Sequence, residues 1–151
     1  MHFTPFRLNT FTFFKLPSVW WCGVRITKIE ECFCEAKVKH RWINQNPFKS
    51  MFWAVQGMAA ELTTGVLIMR AIKQHWLKVS MLVLNNRANF SKKARGKIIF
   101  SCNAEQKIET AFKQLISGKK TQTFWLTSKG LDPQGNVVST FEFEWTVLLK
   151  N

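Results

Sequence analysis

Of the nine acidic residues in the 151-residue chain, one sits where an acid is hard to keep. Glu61 lies in an apolar segment whose helical neighbours on its side are Ala54, Gly57, Gly65 and Ile68. The positions three and four residues away are Gly57, Met58, Thr64 and Gly65, so no cation on the same helix can pair with it. A carboxylate buried without a partner is costly and keeps its proton to higher pH. A carboxylate in that state suits general-base or nucleophilic chemistry, and small neighbours leave room for a reactant. The plainer alternative is a carboxylate that reaches solvent at a dimer seam or bonds a backbone group.

Other chemistries find little support. Cys22, Cys32, Cys34 and Cys102 show no CxxC spacing, which argues against a zinc ribbon or a thioredoxin-type site and for buried, reduced thiols. No metal set is expected. There is no Ser-His-Asp or Cys-His elbow, and the seven glycines are scattered rather than gathered into a phosphate loop. His40 falls on the apolar face of a strand, as a core or interface histidine; His75 ends a helix, where a cation complements the dipole. Lys92, Lys93, Arg95 and Lys97 form one basic run, and Lys119 with Lys120 another. Such runs are either solvated loop faces or sites for phosphate groups.

The elements that must position these residues follow from periodicity. Residues 1–18 form a leader, with Thr4-Pro5 as a helix start and Pro17 as its end. Its Phe3, Phe6, Leu8, Phe11, Phe13, Phe14 and Leu16 dock on the domain or cover a pocket. Residues 19–151 make one domain. Strands are expected from Val19, over Cys32–Trp42, where Cys32, Cys34, Ala36, Val38, His40 and Trp42 alternate with Phe33, Glu35, Lys37, Lys39 and Arg41, then over Leu77–Leu84, Lys97–Cys102, Thr121–Thr127 and Phe141–Leu149. Asp132-Pro133-Gln134-Gly135-Asn136 is a turn, and a short helix starts at Asn103 with Gln106 three residues on. A long helix runs from between Asn46 and Ser50 to about Gln74, with Phe52, Gln56, Thr63 and Arg70 on its polar side. One long buried helix with five or six antiparallel strands is an α+β roll, the helix wrapped by a curled sheet.

Hydrophobic residues make up 46% and charged residues 21%, enough for a full core without staples. The excess of Lys and Arg gives a net charge of +13, which favours polyanions: nucleic acid, phosphorylated cofactors or anionic membrane. Arg7 and Lys15 break the apolar character a signal peptide needs, and Gln56, Glu61 and Arg70 spoil the most apolar stretch as a membrane span. A cytoplasmic protein is expected.

The segment Asn46-Pro47-Phe48-Lys49-Ser50-Met51-Phe52-Trp53-Ala54-Val55-Gln56-Gly57-Met58-Ala59-Ala60-Glu61 resembles the helix-start motif of PaaI-type acyl-CoA thioesterases of the hot-dog fold. In that family an Asn precedes His-Gly-Gly at the helix start, and a carboxylate follows on the helix. Asn46 and Glu61 match that spacing, while Phe52-Trp53-Ala54 replaces His-Gly-Gly. The resemblance implies thioester hydrolysis, with Glu61 as base or nucleophile, the Trp53 backbone N–H polarising the carbonyl, and Asn46 orienting water or carbonyl. It further implies a homodimer or homotetramer in which Glu61 and Asn46 come from different chains. The substrate would be an acyl-CoA or an acyl-carrier protein, its phosphates held by Lys92, Lys93 and Arg95, with no other cofactor. The alternatives are a non-catalytic hot-dog protein that binds acyl groups or acyl-CoA, and a basic nucleic-acid-binding module. The second is disfavoured because the aromatic residues fall mostly on inward phases.

Overall fold

A computed structural model of the chain describes residues 2–104 and 106–150. The leader is helical, as α1 (Pro5–Lys15), with the Thr4 hydroxyl accepting the Arg7 N–H at 3.3 Å. Pro17 does more than end this helix. It opens a second one, α2 (Pro17–Trp21), because a first-turn proline gives up no needed N–H. The strand expected from Val19 therefore starts later, as β1 (Arg25–Ile29). There follow β2 (Phe33–Lys39), a single 3-10 turn at Trp42–Asn44, α3 (Trp53–Gln74), β3 (Val79–Phe90), β4 (Lys97–Asn103), α4 (Lys107–Ile116), β5 (Thr121–Leu131) and β6 (Val137–Leu149).

The six strands form one antiparallel sheet in the order β1-β2-β4-β5-β6-β3. It curls round α3, whose Val55, Ala59, Leu62, Val66 and Ile68 are buried with the sheet's inward residues. On β2 the period-two pattern holds as far as Lys39: Cys34, Ala36 and Val38 are buried and pair in register with Cys102, Phe100 and Ile98 of β4, but the strand ends there and Trp42, expected on the apolar face, stands exposed in the 3-10 turn. Burial pushes the thiols of Cys34 and Cys102 up to about 12, which keeps them as unreactive core groups.

The two sheet edges differ. Along β1, α1 docks with Leu8 and Thr12 buried. Asn9 acts there as a surrogate strand residue: its Nδ2 donates to the Ile26 carbonyl at 2.9 Å, and the Ile26 N–H donates to its Oδ1 at 2.8 Å. This covers backbone groups that an open edge would leave free. The opposite edge, β3, pairs with β6 and with no other described strand, and most of its residues are exposed.

The polar side assigned to α3 is not a solvent face. Gln56 and Thr63 are buried. Gln56 accepts a hydrogen bond from the Ser139 hydroxyl of β6 at 2.8 Å, and the Thr63 and Ser128 hydroxyls of α3 and β5 lie 2.8 Å apart. The stripe is a hydrogen-bonded seam between helix and sheet, which satisfies these groups as burial requires. The shorter helix also starts later than Asn103: Lys107 is its first residue and Gln106 precedes it.

Candidate active site

The long helix begins at Trp53, not between Asn46 and Ser50. Asn46 and Ser50 close a loop ahead of it instead. Asn46 Oδ1 accepts the Phe48 N–H at 2.9 Å and the Ser50 N–H at 3.3 Å, and Asn46 Nδ2 donates to the Ser50 hydroxyl at 2.9 Å. The Asn46 N–H also donates to the Ser50 carbonyl at 2.8 Å, and Lys49 takes a φ of +57° to make the turn. The Asn46 side chain is spent on holding this loop.

Phe52 precedes the helix in extended conformation, φ −62° and ψ 136°, and supplies no side-chain cap. The first N–H groups, those of Trp53 and Ala54, cannot be used inside the helix and carry the positive end of its dipole. Backbone bonds stitch this start to a distant segment. The Met51 N–H donates to the Ala94 carbonyl at 2.9 Å, and the Phe52 N–H to the Asn44 carbonyl at 2.8 Å. The result is a cleft of about 570 Å³ that gathers Asn46, Trp53, Lys92 and Lys93 in one place, with Gln56, Phe90 and Ser91 also lining it.

Three cations of the basic run, Lys92, Lys93 and Arg95, are placed differently. Lys92 is paired with Asp132 at 2.7 Å. That lysine, with the Asn136 backbone and side chain, holds the Asp132 carboxyl down to about 2. Arg95 lies outside the cleft and donates from Nε to the Lys49 carbonyl at 3.2 Å, bracing the loop. Lys93 lies 6.0 Å from the Phe48 ring and pairs with no acid among the described residues. It is the cation in the cleft that remains free for an anion.

Glu61 is not in this cleft. It lies eight residues further along α3, about 12 Å by helical rise. A Cβ at Gly57 would meet the Phe141 ring at 3.4 Å, and one at Gly65 the Trp145 ring at 3.5 Å, so this flank of the helix faces β6. The Glu61 carboxylate sits against Gly65, where an added Cβ would come within 3.3 Å of Oε1. No described residue bonds or pairs with the carboxylate, although Thr64 beside it is held at 3.0 Å by the Trp145 indole N–H. Burial pushes the carboxyl above the ordinary glutamate range. The side chain is half-buried, so it keeps a path to solvent.

Gln56, Phe90 and Ser91 were not singled out as site residues. The helical phase places Gln56 only on the polar side of α3, and Phe90 and Ser91 reach the cleft because β3 runs six residues beyond its apolar part.

The central helix in a curled six-stranded antiparallel sheet defines a hot-dog fold. The chain aligns with a Pseudomonas aeruginosa protein of unknown function, called a probable thioesterase, at TM-score 0.82 and 18% identity over 97% of each chain. It also aligns with a Chlorobaculum tepidum protein of unknown function at TM-score 0.82 and 15% identity, over 97% of this chain and 98% of that one. A Haemophilus influenzae thioesterase aligns at TM-score 0.77 and 15% identity, over 99% and 93%. The chain belongs to the family described as a domain of unknown function, DUF4442, whose pattern matches residues 7–147. No curated protein matches its sequence. At these identities the solved structures share the fold, and their activities are their own.

Proposed function

We propose that this protein is an acyl-CoA thioesterase that works as a dimer, with Glu61 of one copy facing the helix-start cleft of the other. The observation that carries this reading is Glu61 itself: a half-buried carboxylate of raised pKa, without a partner among the described residues, on the central helix of a hot-dog fold. The β3 edge supports the assembly, since it offers free backbone groups with Leu82 at 60% exposure beside them.

In the proposed reaction Glu61 takes a proton from water as the water oxygen bonds to the thioester carbonyl carbon. The carbonyl oxygen becomes an oxyanion that accepts the Trp53 N–H at the helix N-terminus. Collapse breaks the C–S bond, and the coenzyme A sulfur leaves with the proton Glu61 had taken. Asn46 acts by shaping the loop before Trp53, a positioning role, because its side chain is already bonded within that loop. Lys93 meets a phosphate of the nucleotide.

The test is thiol release from a panel of acyl-CoA substrates. Lys93→Gln is expected to raise KM about fivefold at low salt with kcat unchanged, because the nucleotide is remote from the carbonyl, and the effect should fade as salt rises. An unchanged KM at low salt would assign Lys93 to the solvated surface. Saturable binding of acyl-CoA with no thiol released would instead establish the non-catalytic reading. The Phe52 and Trp53 rings, 6.0 Å apart at the mouth of the cleft, are what favours that second reading.

A further inference from the structure

We infer that the leader helix α1 is a docking surface for an anionic lipid bilayer. Docking on β1 uses one side of the helix and leaves the other without a partner among the described residues. That outer side carries Phe6 at 81% exposure and Phe14 at 70%, with Arg7, Thr10 and Lys15 between and beside them. Together with Phe11 these residues line an open groove of about 560 Å³. The aromatic surface continues onto α2. Phe13 packs edge-on against Phe14 at 4.8 Å and against Trp20 at 5.2 Å, Arg25 stacks over Trp20 at 3.4 Å, and Trp21 stands 66% exposed next to them.

Charge decides the occupant. The helices α1 and α2 carry Arg7 and Lys15 and no Asp or Glu, and Arg25 adds a third cation beside Trp20, whereas Lys28 is paired with Glu30 at 2.8 Å. Arg7 and Lys15 form no ion pair with any described residue. Phe and Trp side chains flanked by cations match the boundary between headgroups and acyl chains, where aromatic rings insert and Lys or Arg meets anionic headgroups. The groove is made by the side chains of one helix and has no second wall, so it fits a plane better than a peptide. A second copy is a poor occupant, because a two-fold contact would bring the Arg7 and Lys15 side chains of both copies together, and no described acid pairs with either. A nucleic acid would take more cations along a track than this face offers.

The inference needs no thioesterase activity and is tested without acyl-CoA. The full chain is sedimented with vesicles of phosphatidylcholine alone or of phosphatidylcholine with phosphatidylglycerol. Binding is expected to the mixed vesicles and to be weak with phosphatidylcholine alone. Arg7→Gln/Lys15→Gln should weaken it about ten- to thirtyfold. Phe6→Ala/Phe14→Ala should weaken it comparably with the net charge kept. Lys119→Gln/Lys120→Gln removes the same charge elsewhere and should change binding by less than about twofold. Several outcomes overturn the inference: no binding to mixed vesicles, equal losses for the two charge variants, or no loss on removing the phenylalanines. It is overturned equally if Phe6→Ala/Phe14→Ala changes the sedimentation of the free protein, which marks a protein interface, or if Arg7→Gln/Lys15→Gln abolishes binding to a single-stranded oligonucleotide. Should the phenylalanine variant fail to fold, the two charge variants decide the question alone.

Discussion

Glu61→Gln is expected to lower kcat for acyl-CoA hydrolysis by at least about a hundredfold, the usual scale for losing a positioned base. The amide keeps the shape that fits against Gly65 and cannot take a proton from water. The same substitution carries a stability signature with a definite sign. Burial raises the Glu61 carboxyl above its unfolded value, so between the two values the folded chain holds more protons than the unfolded one. Wild-type stability therefore falls as pH rises from the ordinary glutamate range through the raised value. Above that window Glu61→Gln should be the more stable protein by about 1 kcal/mol, or about 2–4 °C in Tm, because a poorly compensated charge is gone. Thiol release and thermal melts across pH check both halves. Retained activity with lost stability would make Glu61 a structural carboxylate.

Trp53→Pro should be nearly as damaging to the rate, for a reason confined to one hydrogen. Proline lacks the backbone N–H proposed to meet the oxyanion, and the loss of one such donor costs about 10²–10³ in kcat. The fold should accept it. Position 53 is the first of the helix, where proline is favoured, and Phe52 already holds the extended conformation that a residue before proline requires. Trp53→Ala is the companion measurement: it removes the exposed indole and keeps the N–H. A rate for Trp53→Ala well above that for Trp53→Pro assigns the effect to the backbone. Equal losses would place the role in the indole.

What could be read from the sequence tracks how local each cause is. The alternation on β2 was legible because one face packs on α3 and the other meets solvent, so each residue's type reports its side. The outer half of β3, residues 85–90, was not legible, because at a sheet edge with both faces wet no apolar pattern is required. The start of α3 was misplaced because Asn46 and Ser50 are good capping residues whose side chains bond each other. Gln56 and Thr63 read as a polar side of α3 and not as a seam with Ser128 and Ser139, because hydroxyl and amide groups satisfied across elements leave no local trace. Glu61 stood out because the absence of a helical cation is a local fact. The meeting of Lys92 and Lys93 with Trp53 depends on the bond from Met51 to Ala94, which periodicity does not reveal.

In the proposed dimer each site is built from two chains, Glu61 from one and the helix start from the other. Co-refolding Glu61→Gln chains with Trp53→Pro chains tests it directly. Half of the dimers in an equal mixture are mixed, and in each of these one site carries both defects while the other is intact. Two nearly inactive proteins are expected to recover together about a quarter of the wild-type thiol-release rate. A mixture no more active than its components, with mixed dimers shown to be present, would contradict it and return both groups to a single chain.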